Sequence, residues 1–272
     1  MRPNGIITLT TDFGLIDSYV GTMKGVMLGI APTSRLIDIT HAIEPQNLHQ
    51  AAYILHSFYR YYPAGSVHLA VIDPGVGSSR RAIALQTPTA TFVAPDNGVL
   101  TYIWRDLLAE IGREACHLVE LDQRDYWLPH VSKTFHGRDI FAPVAAHLAA
   151  GVAIEKLGTP IATLTEAALE QPTRGRNGEL IGRIIHVDTF GNCITNIRPR
   201  HIGDVGHTDL LVQIIDQHIV GLKHTYAEGA VGDLIALIGS SDHLELAVRN
   251  GSAAKRLGVG IGDQVRVRAA SG

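Results

Sequence analysis

The stretch that decides the fold is GIITLTTDFG, residues 5–14, in which a short apolar run rich in β-branched residues ends at Asp12. Such a run predicts a buried β-strand, and residues 17–30 carry apolar side chains at helical spacing. SVHLAVID, residues 66–73, is a second strand-like run, and it ends at Asp73. Strands that alternate with helices predict a mostly parallel sheet covered by helices on both faces.

The alternation extends over about the first 165 residues. Further strands are predicted at RLIDIT, AIALQT, TATFVAPD and HLVELD, and further helices over residues 47–62, 99–110 and 139–151. We therefore expect an α/β N-terminal domain over residues 1–165. Because ligand sites of open α/β sheets lie at the carboxyl ends of the strands, Asp12 and Asp73 are candidate site residues.

The sequence pattern changes after residue 165. Residues 166–178 are polar and contain Gly and Pro, which predicts a linker. Over residues 179–272, short β-type segments follow one another with turn residues between them, as is typical of a small barrel or sandwich. The predicted fold class is α/β: an N-terminal, mostly parallel α/β/α sandwich followed by a smaller C-terminal all-β barrel domain.

Composition excludes several classes of partner. The 272 residues have a net charge of -3 and no Lys/Arg cluster, so nucleic acid is not an expected partner. No apolar stretch is long enough for a signal peptide or a membrane span, and we expect no membrane partner. Cys116 and Cys193 lie far apart, which favours a reducing cytoplasm. The 14 histidines include no HExxH or HxH motif, so no metal site is predicted.

Two loops of the first half carry groups able to hold and polarise a water molecule. DPGVGSSRR, residues 73–81, lacks the GK[ST] ending of a phosphate loop, whereas Asp73 and Arg80 suit an ion pair that spans it. That pair could be purely structural or catalytic. HGRD, residues 136–139, places His136 in a polar loop ahead of a predicted helix, for which Asp139 is a natural N-cap.

Asp12 has a functional and a structural interpretation. A carboxylate at the end of a strand can accept hydrogen bonds from the paired hydroxyls of a ribose. As a helix N-cap it would compete with Asp17 and Ser18, which are better placed. PDNG, residues 95–98, predicts a turn.

The C-terminal half contains two further motifs. In DTFGN, residues 188–192, the polar side chains could fix a turn or bind a ligand, and Phe190 could stack on a heterocycle or anchor the turn. GSSDHLELAV, residues 239–248, predicts a hairpin that carries Ser240 and Glu245.

TTDFG, DPGVG followed by Arg80, PDNG, HGRD and DxFGNxxTN occur in an order that resembles the S-adenosyl-L-methionine (SAM) hydroxide adenosyltransferases. These SAM hydrolases are related to fluorinase and chlorinase, and the resemblance covers nearly the whole chain. It implies a homotrimer of two-domain subunits, with each active site between the N-terminal domain of one subunit and the C-terminal domain of its neighbour. Where family members often have AVNxG, this chain has AVRNG at residues 247–251.

The resemblance also implies a reaction: water or hydroxide attacks the ribose C5′ of SAM, giving adenosine and L-methionine, without a metal or redox cofactor. Asp73 and His136 would bind the water and take its proton, while Arg80 keeps Asp73 ionised. Asp12 would bind the ribose hydroxyls. The remaining implied substrate-binding residues are Asp188 at the methionine amino group, Asn192 at adenine, and Phe190, Ser240, Glu245 and Val248 around the nucleoside. The alternatives are a halide-dependent adenosyltransferase, which the Asp73 carboxylate disfavours, and a non-catalytic SAM or adenosine sensor.

Overall fold

The structure is a computed structural model that describes residues 2–169, 171–203 and 210–270. It divides into two compact units, Met1–Leu169 and Glu170–Gly272. Among the described residues, no helix has the length and apolar character needed to cross a bilayer.

Seven strands form the sheet of the first unit: β1 (Ile6–Thr11), β2 (Arg35–Thr40), β3 (Ser66–Val71), β4 (Ala82–Gln86), β5 (Ala90–Pro95), β6 (His117–Glu120) and β7 (Thr159–Pro160). They lie in the order β2-β1-β3-β5-β4-β6-β7. The pairs β1–β2, β1–β3 and β3–β5 are parallel, while β4 is antiparallel to both its neighbours and β7 is antiparallel to β6. The β4–β5 connection turns within residues 87–89, which is too short for the crossover that a parallel pair needs.

Four helices cover this sheet: α1 (Tyr19–Ile30), α2 (Leu48–Phe58), α3 (Thr101–Glu110) and α4 (Ala142–Ala149). Apolar side chains of α1 and α4 pack on one face of the sheet, and those of α2 and α3 pack on the other. The predicted sandwich is therefore confirmed. The predicted helix over residues 47–62 is α-helical only to Phe58 and continues as a 3-10 turn to Tyr61.

The predicted N-cap role of Asp139 is wrong. Residues Gly137–Phe141 form a π-helical turn that leads directly into α4, so Asp139 lies inside a helical segment. Its buried carboxylate accepts the backbone N–H of Ser132 at 2.8 Å and an Arg138 hydrogen bond at 2.6 Å. Asp139 thus ties the loop before the helix to the helix itself.

The topology places two of the candidate carboxylates side by side. The chain leaves β1 toward β2 on one side, and β3 then pairs with β1 on the other side. Thr11 is in register with Val71, so Asp12 and Asp73 follow the carboxyl ends of two adjacent parallel strands. Such a divergence of strand order is the usual position of a ligand crevice in an open α/β sheet.

The second unit is an antiparallel sheet of eight strands: β8 (Thr173–Arg174), β9 (Leu180–Val187), β10 (Cys193–Thr195), β11 (Leu210–Ile214), β12 (Gln217–Val220), β13 (Leu234–Ile238), β14 (Leu244–Val248) and β15 (Gln264–Ala269). Its main path runs β12-β11-β15-β9-β10-β14-β13, with β8 paired to β9. An isolated bridge from Lys223 to Leu237 joins the chain after β12 to β13, so the sheet is nearly closed. Two short helices, α5 (Pro199–Ile202) and α6 (Ala253–Leu257), accompany this barrel, which confirms the predicted fold class.

Candidate active site

The loop after β3 folds back so that its two ends meet. Ser78 Oγ donates to the carbonyl of Gly75 at 2.6 Å and accepts the backbone N–H of Arg80 at 3.2 Å. Gly77 has a φ of 77°, and a side chain there would overlap the carbonyl oxygen of Lys133. The glycine thus allows a left-handed turn and close contact with the segment that precedes His136.

Asp73 and Arg80 form the ion pair that the sequence predicts. Arg80 Nε lies 3.0 Å from Oδ1 and 3.1 Å from Oδ2 of Asp73, and Nη2 also donates to Oδ2. Only 5% of the Asp73 side chain and 11% of the Arg80 side chain are exposed. The fork of the guanidinium therefore fixes the plane of a carboxylate that is almost removed from solvent.

His136 joins this pair through Arg80 and not through Asp73. Arg80 Nη2 lies 2.9 Å from Nδ1 of His136. Because a guanidinium can only donate, Nδ1 must accept, and the neutral imidazole carries its proton on Nε2. Burial, together with the Arg80 charge, lowers the pKa of His136 despite the opposing effect of Asp73.

A cleft of about 710 Å³ adjoins the Arg80–His136 pair and is formed wholly by the first unit. Its lining combines apolar side chains such as Trp127, Leu128 and Ile140 with polar and charged ones such as Asp122 and Lys133. Arg80 and His136 are therefore placed beside an open volume that can admit water.

Asp12 lies half-buried at the end of β1, and the N-cap alternative is wrong. The N-cap position of α1 is Ser18, although its side chain makes no capping hydrogen bond. The Asp12 Oδ2 atom accepts the backbone N–H of Gln46 at 2.9 Å. One carboxylate oxygen thus holds the loop after β2.

Asn97, for which the sequence favours a turn over a place near the site, contacts the chain beside Asp73. The PDNG turn is confirmed, but the Asn97 side chain also donates to the Ile72 carbonyl at 2.8 Å, directly before Asp73. The sequence signal for this contact is the position of Asn97, which follows β5, and β5 is the neighbour of β3 in the sheet.

In the second unit, DTFGN forms a turn that Asp188 closes. Its carboxylate accepts the backbone N–H groups of Phe190 and Asn192 at 2.9 and 2.8 Å, and the Asn192 side-chain amide at 3.0 Å. Phe190 is 77% exposed, so it does not anchor the turn by packing. The ring is therefore free to meet a flat ligand.

The β13–β14 hairpin is confirmed, with Ser240 exposed in its turn and Val248 buried at its end. Glu245 is buried, and Tyr226 donates a hydrogen bond to Oε1 at 2.6 Å. Burial raises the pKa of the Glu245 carboxyl, although the Tyr226 bond opposes this. Within the described residues, no group of three or more His, Cys, Asp or Glu has a metal-binding arrangement.

Comparisons with known proteins cover the chain almost end to end. Residues 7–158 match the SAM hydroxide adenosyltransferase N-terminal domain, and residues 182–266 match the C-terminal domain of the same family. Proteins from Salinispora tropica (38% identity over 99% of this chain and 100% of the relative) and Thermus thermophilus (39% over 98% and 100%) are named (R)-S-adenosyl-L-methionine hydrolase. A more distant relative, from Actinopolyspora mzabensis, is 27% identical over 96% of each chain and is named fluorinase.

Solved structures agree with these matches. The crystal structure of an uncharacterized conserved protein from Thermotoga maritima superposes with a TM-score of 0.85 at 35% identity, covering 96% of this chain and 99% of the other. Two domain matches that together span most of the sequence, and relatives above 30% identity along its full length, show that the chain belongs to the SAM hydroxide adenosyltransferase family.

Proposed function

We propose that the protein hydrolyses SAM to adenosine and L-methionine by attack of water on the ribose C5′. The observation that carries this proposal is the position of Arg80, hydrogen-bonded to Asp73 on one side and to His136 on the other. The full-length relatives named (R)-S-adenosyl-L-methionine hydrolase support it. Their name specifies the R configuration at sulfur, and we extend that preference to this chain.

In the proposed reaction, the water oxygen forms a bond to C5′ as the C5′–S bond breaks and its electron pair passes to the neutral thioether of methionine. The neutral thioether leaves without acid assistance, so no metal or redox cofactor is proposed. The main contribution of the site is then to hold the water in line with the breaking bond, which is worth up to about 7–11 kcal/mol when orientation is good.

The hydrogen-bond geometry divides the work between the two groups proposed to bind the water. Because Nδ1 accepts from Arg80, the only free hydrogen-bonding group on the neutral His136 ring is Nε2–H. This group donates a hydrogen bond to the water oxygen. Asp73 then receives the proton of the water and passes it to solvent. Arg80 holds Asp73 in the charged, correctly directed form that this step needs.

Substrate binding is assigned to residues of both units. Asp12 accepts hydrogen bonds from the ribose hydroxyls through Oδ1 and through the second lone pair of Oδ2, whose other lone pair accepts from Gln46. In the second unit, the exposed Phe190 ring stacks on adenine, and the Asn192 carboxamide hydrogen-bonds to the edge of the adenine ring. The other proposed contacts are with Asp188 at the methionine amino group and with Ser240, Glu245 and the backbone at Val248.

We further propose that the protein is a homotrimer in which residues of two subunits complete each active site. Leu15 and Ile16, which directly follow TTDFG, are 75% and 101% exposed. Burial of these apolar side chains against a partner subunit would stabilise the assembly. Sedimentation velocity should give the mass of a trimer, and a monomer would contradict this. We also propose a cytoplasmic location, because Cys116 and Cys193 are free and buried.

The halide-dependent alternative is disfavoured by charge. A chloride or fluoride ion in the proposed water position would face the Asp73 carboxylate, and like charges repel strongly where water is scarce. The fluorinase relative is also less similar to the chain than the two hydrolases are.

The deciding experiment incubates the protein separately with the R and S sulfonium epimers of SAM in H₂¹⁸O that contains chloride. Mass spectrometry should detect adenosine with ¹⁸O on C5′, together with L-methionine, and faster from the R epimer. A 5′-chloronucleoside would instead indicate halide transfer. Intact SAM accompanied by tight adenosine binding would indicate a sensor.

A further inference from the structure

A chain of polar side chains lies directly behind Asp12. His41 Nδ1 is 2.8 Å from the hydroxyl of Thr11, and its Nε2 is 3.0 Å from Asp38 Oδ1. Lys24 contacts the other Asp38 oxygen at 2.6 Å. The arrangement begins at the surface and ends at the residue before Asp12.

A hydroxyl, an imidazole and a carboxylate in this order resemble the triad of a nucleophilic enzyme. That role does not fit here because Thr11 is completely buried and has no access to a substrate. Its hydroxyl oxygen instead accepts the backbone N–H of Phe13 at 3.2 Å. This bond spans Asp12 and so fixes the backbone on both sides of the carboxylate.

The protonation states of the network are mutually consistent. Burial alone would raise the pKa of Asp38, but the Lys24 hydrogen bond and the neighbouring His41 outweigh this effect, and the pKa is lowered. An ionised Asp38 beside Nε2 favours the His41 tautomer with its proton on that nitrogen. Nδ1 then accepts the Thr11 O–H, which leaves the Thr11 lone pairs for Phe13.

The segment after β2 is also joined directly to the Asp12 turn. The carbonyl of His41 accepts the N–H of Gly14 at 2.8 Å, and the N–H of Gln46 reaches Asp12 Oδ2. Gln46 adopts a φ of 66°, which is unfavourable for a residue with a side chain. The strained residue thus provides one of the two bonds between these loops.

We propose that Thr11, His41 and Asp38 are positioning residues that hold the Asp12 carboxylate in the orientation needed to bind the two hydroxyls of the substrate ribose. This inference rests on the ribose-binding role proposed above for Asp12. It predicts that damage to the network weakens binding only of nucleosides that possess those hydroxyls.

The test measures binding of adenosine and of 2′,3′-dideoxyadenosine by calorimetry, without turnover. Thr11→Val keeps the shape of Thr11 but removes its hydroxyl, and Thr11→Ser restores it. Thr8→Val is the matched control, because Thr8 lies on the same strand and makes the same kind of bond to a buried histidine, His68, at 2.9 Å.

We expect Thr11→Val to weaken adenosine binding about tenfold, the loss of roughly one net hydrogen bond, with dideoxyadenosine binding unchanged. Thr11→Ser and Thr8→Val should bind both nucleosides like the wild type. Equal weakening of both nucleosides by Thr11→Val would reduce the network to a structural role and overturn the inference.

Asp12→Ala distinguishes the positioning role of the network from the ribose-binding role of Asp12. If Asp12→Ala selectively weakens adenosine and Thr11→Val does not, the positioning role fails while the ribose-binding role stands. If Asp12→Ala affects both nucleosides equally or neither, the ribose-binding role fails and the positioning role fails with it.

Discussion

The Nδ1 atom of His136 accepts a hydrogen bond from Arg80 at 2.9 Å, so the imidazole is held by a group that can never take its proton. The basic nitrogen of the neutral ring is therefore already occupied, and the ring presents Nε2–H to the proposed water. In the proposed reaction, this relationship makes His136 an orienting donor and leaves Asp73 as the proton acceptor.

Replacement of Asp73 by Asn should lower kcat by about 10²–10⁴-fold, the usual contribution of a general base, while adenosine binding is retained. Single-turnover formation of adenosine measures this. Asp96→Asn is the matched control, because Asp96 is also a buried carboxylate paired with an arginine, the more exposed Arg81, with Nε at 2.8 Å. The control should lose stability but keep kcat per folded molecule, and a wild-type rate in Asp73→Asn would refute the assignment.

The activity should fall in acid as His136 becomes protonated. Its pKa lies below the ordinary 6.5 because of burial and the Arg80 charge, so the neutral form prevails at pH 7 and is lost as the pH falls through that lowered value. A profile of kcat against pH should show this acid limb with a midpoint below 6.5. In His136→Gln, which keeps an N–H donor, the limb should move to lower pH, and an unchanged profile would contradict the role.

His68 should make the fold sensitive to acid. It is fully buried on β3, stacks on Phe92, and burial lowers its pKa from 6.5 to about 4. The unfolded chain therefore binds a proton between these values that the native state excludes, so stability is complete above 6.5 and decreases as the pH falls toward 4. Between pH 7.5 and pH 5 the loss from this group is about 2 kcal/mol.

Urea unfolding at both pH values checks the effect of His68. His68→Phe should reduce the difference between the two free energies of unfolding by most of that amount. Since other histidines also titrate, the comparison is between wild type and variant and not between absolute values. An equal pH difference in both proteins would show that His68 does not contribute.

Gly77→Ala should damage both stability and activity. Gly77 lies in the loop that carries Arg80. An alanine there would have to adopt a left-handed backbone, and its side chain would overlap the carbonyl oxygen of Lys133. Gly112→Ala is the control, because its φ of 75° is nearly the same and no atom lies within 4 Å of the added carbon. We expect a cost of about 1–2 kcal/mol for Gly112→Ala and more for Gly77→Ala, with kcat reduced only in the latter. Equal losses in the two variants would contradict the close contact.

Phe190→Ala should weaken adenosine binding by about 1–3 kcal/mol, the usual value of a base stacked on an aromatic ring, without lowering the thermal midpoint. The ring is 77% exposed, so its removal leaves no cavity. Tyr61→Ala removes an equally exposed aromatic ring from the first unit and should leave binding unchanged. A loss of thermal stability with unchanged affinity would instead make Phe190 a structural residue.

Local patterns in the sequence predict where the strands end and therefore which polar residues share an edge. The apolar runs before Asp12 and Asp73 are recognisable because strand burial imposes apolar side chains on consecutive positions. The DPGVG loop likewise predicts the Asp73–Arg80 pair, since the loop is short and the partners stand seven residues apart. Motif order was enough to indicate the family.

Contacts between residues distant along the chain were decided only by tertiary structure. Arg80 reaches His136 across 56 residues, and Thr11 reaches His41 across 30, so no local propensity specifies either contact. Asp139 shows the same limit, because its sequence position favours an N-cap whereas packing extends the helix through it. The sequence by itself determined the layers, the strand ends and the chemical groups available. The side-chain partners, and with them the tautomer of His136, depend on how the packed elements bring those groups within hydrogen-bond distance.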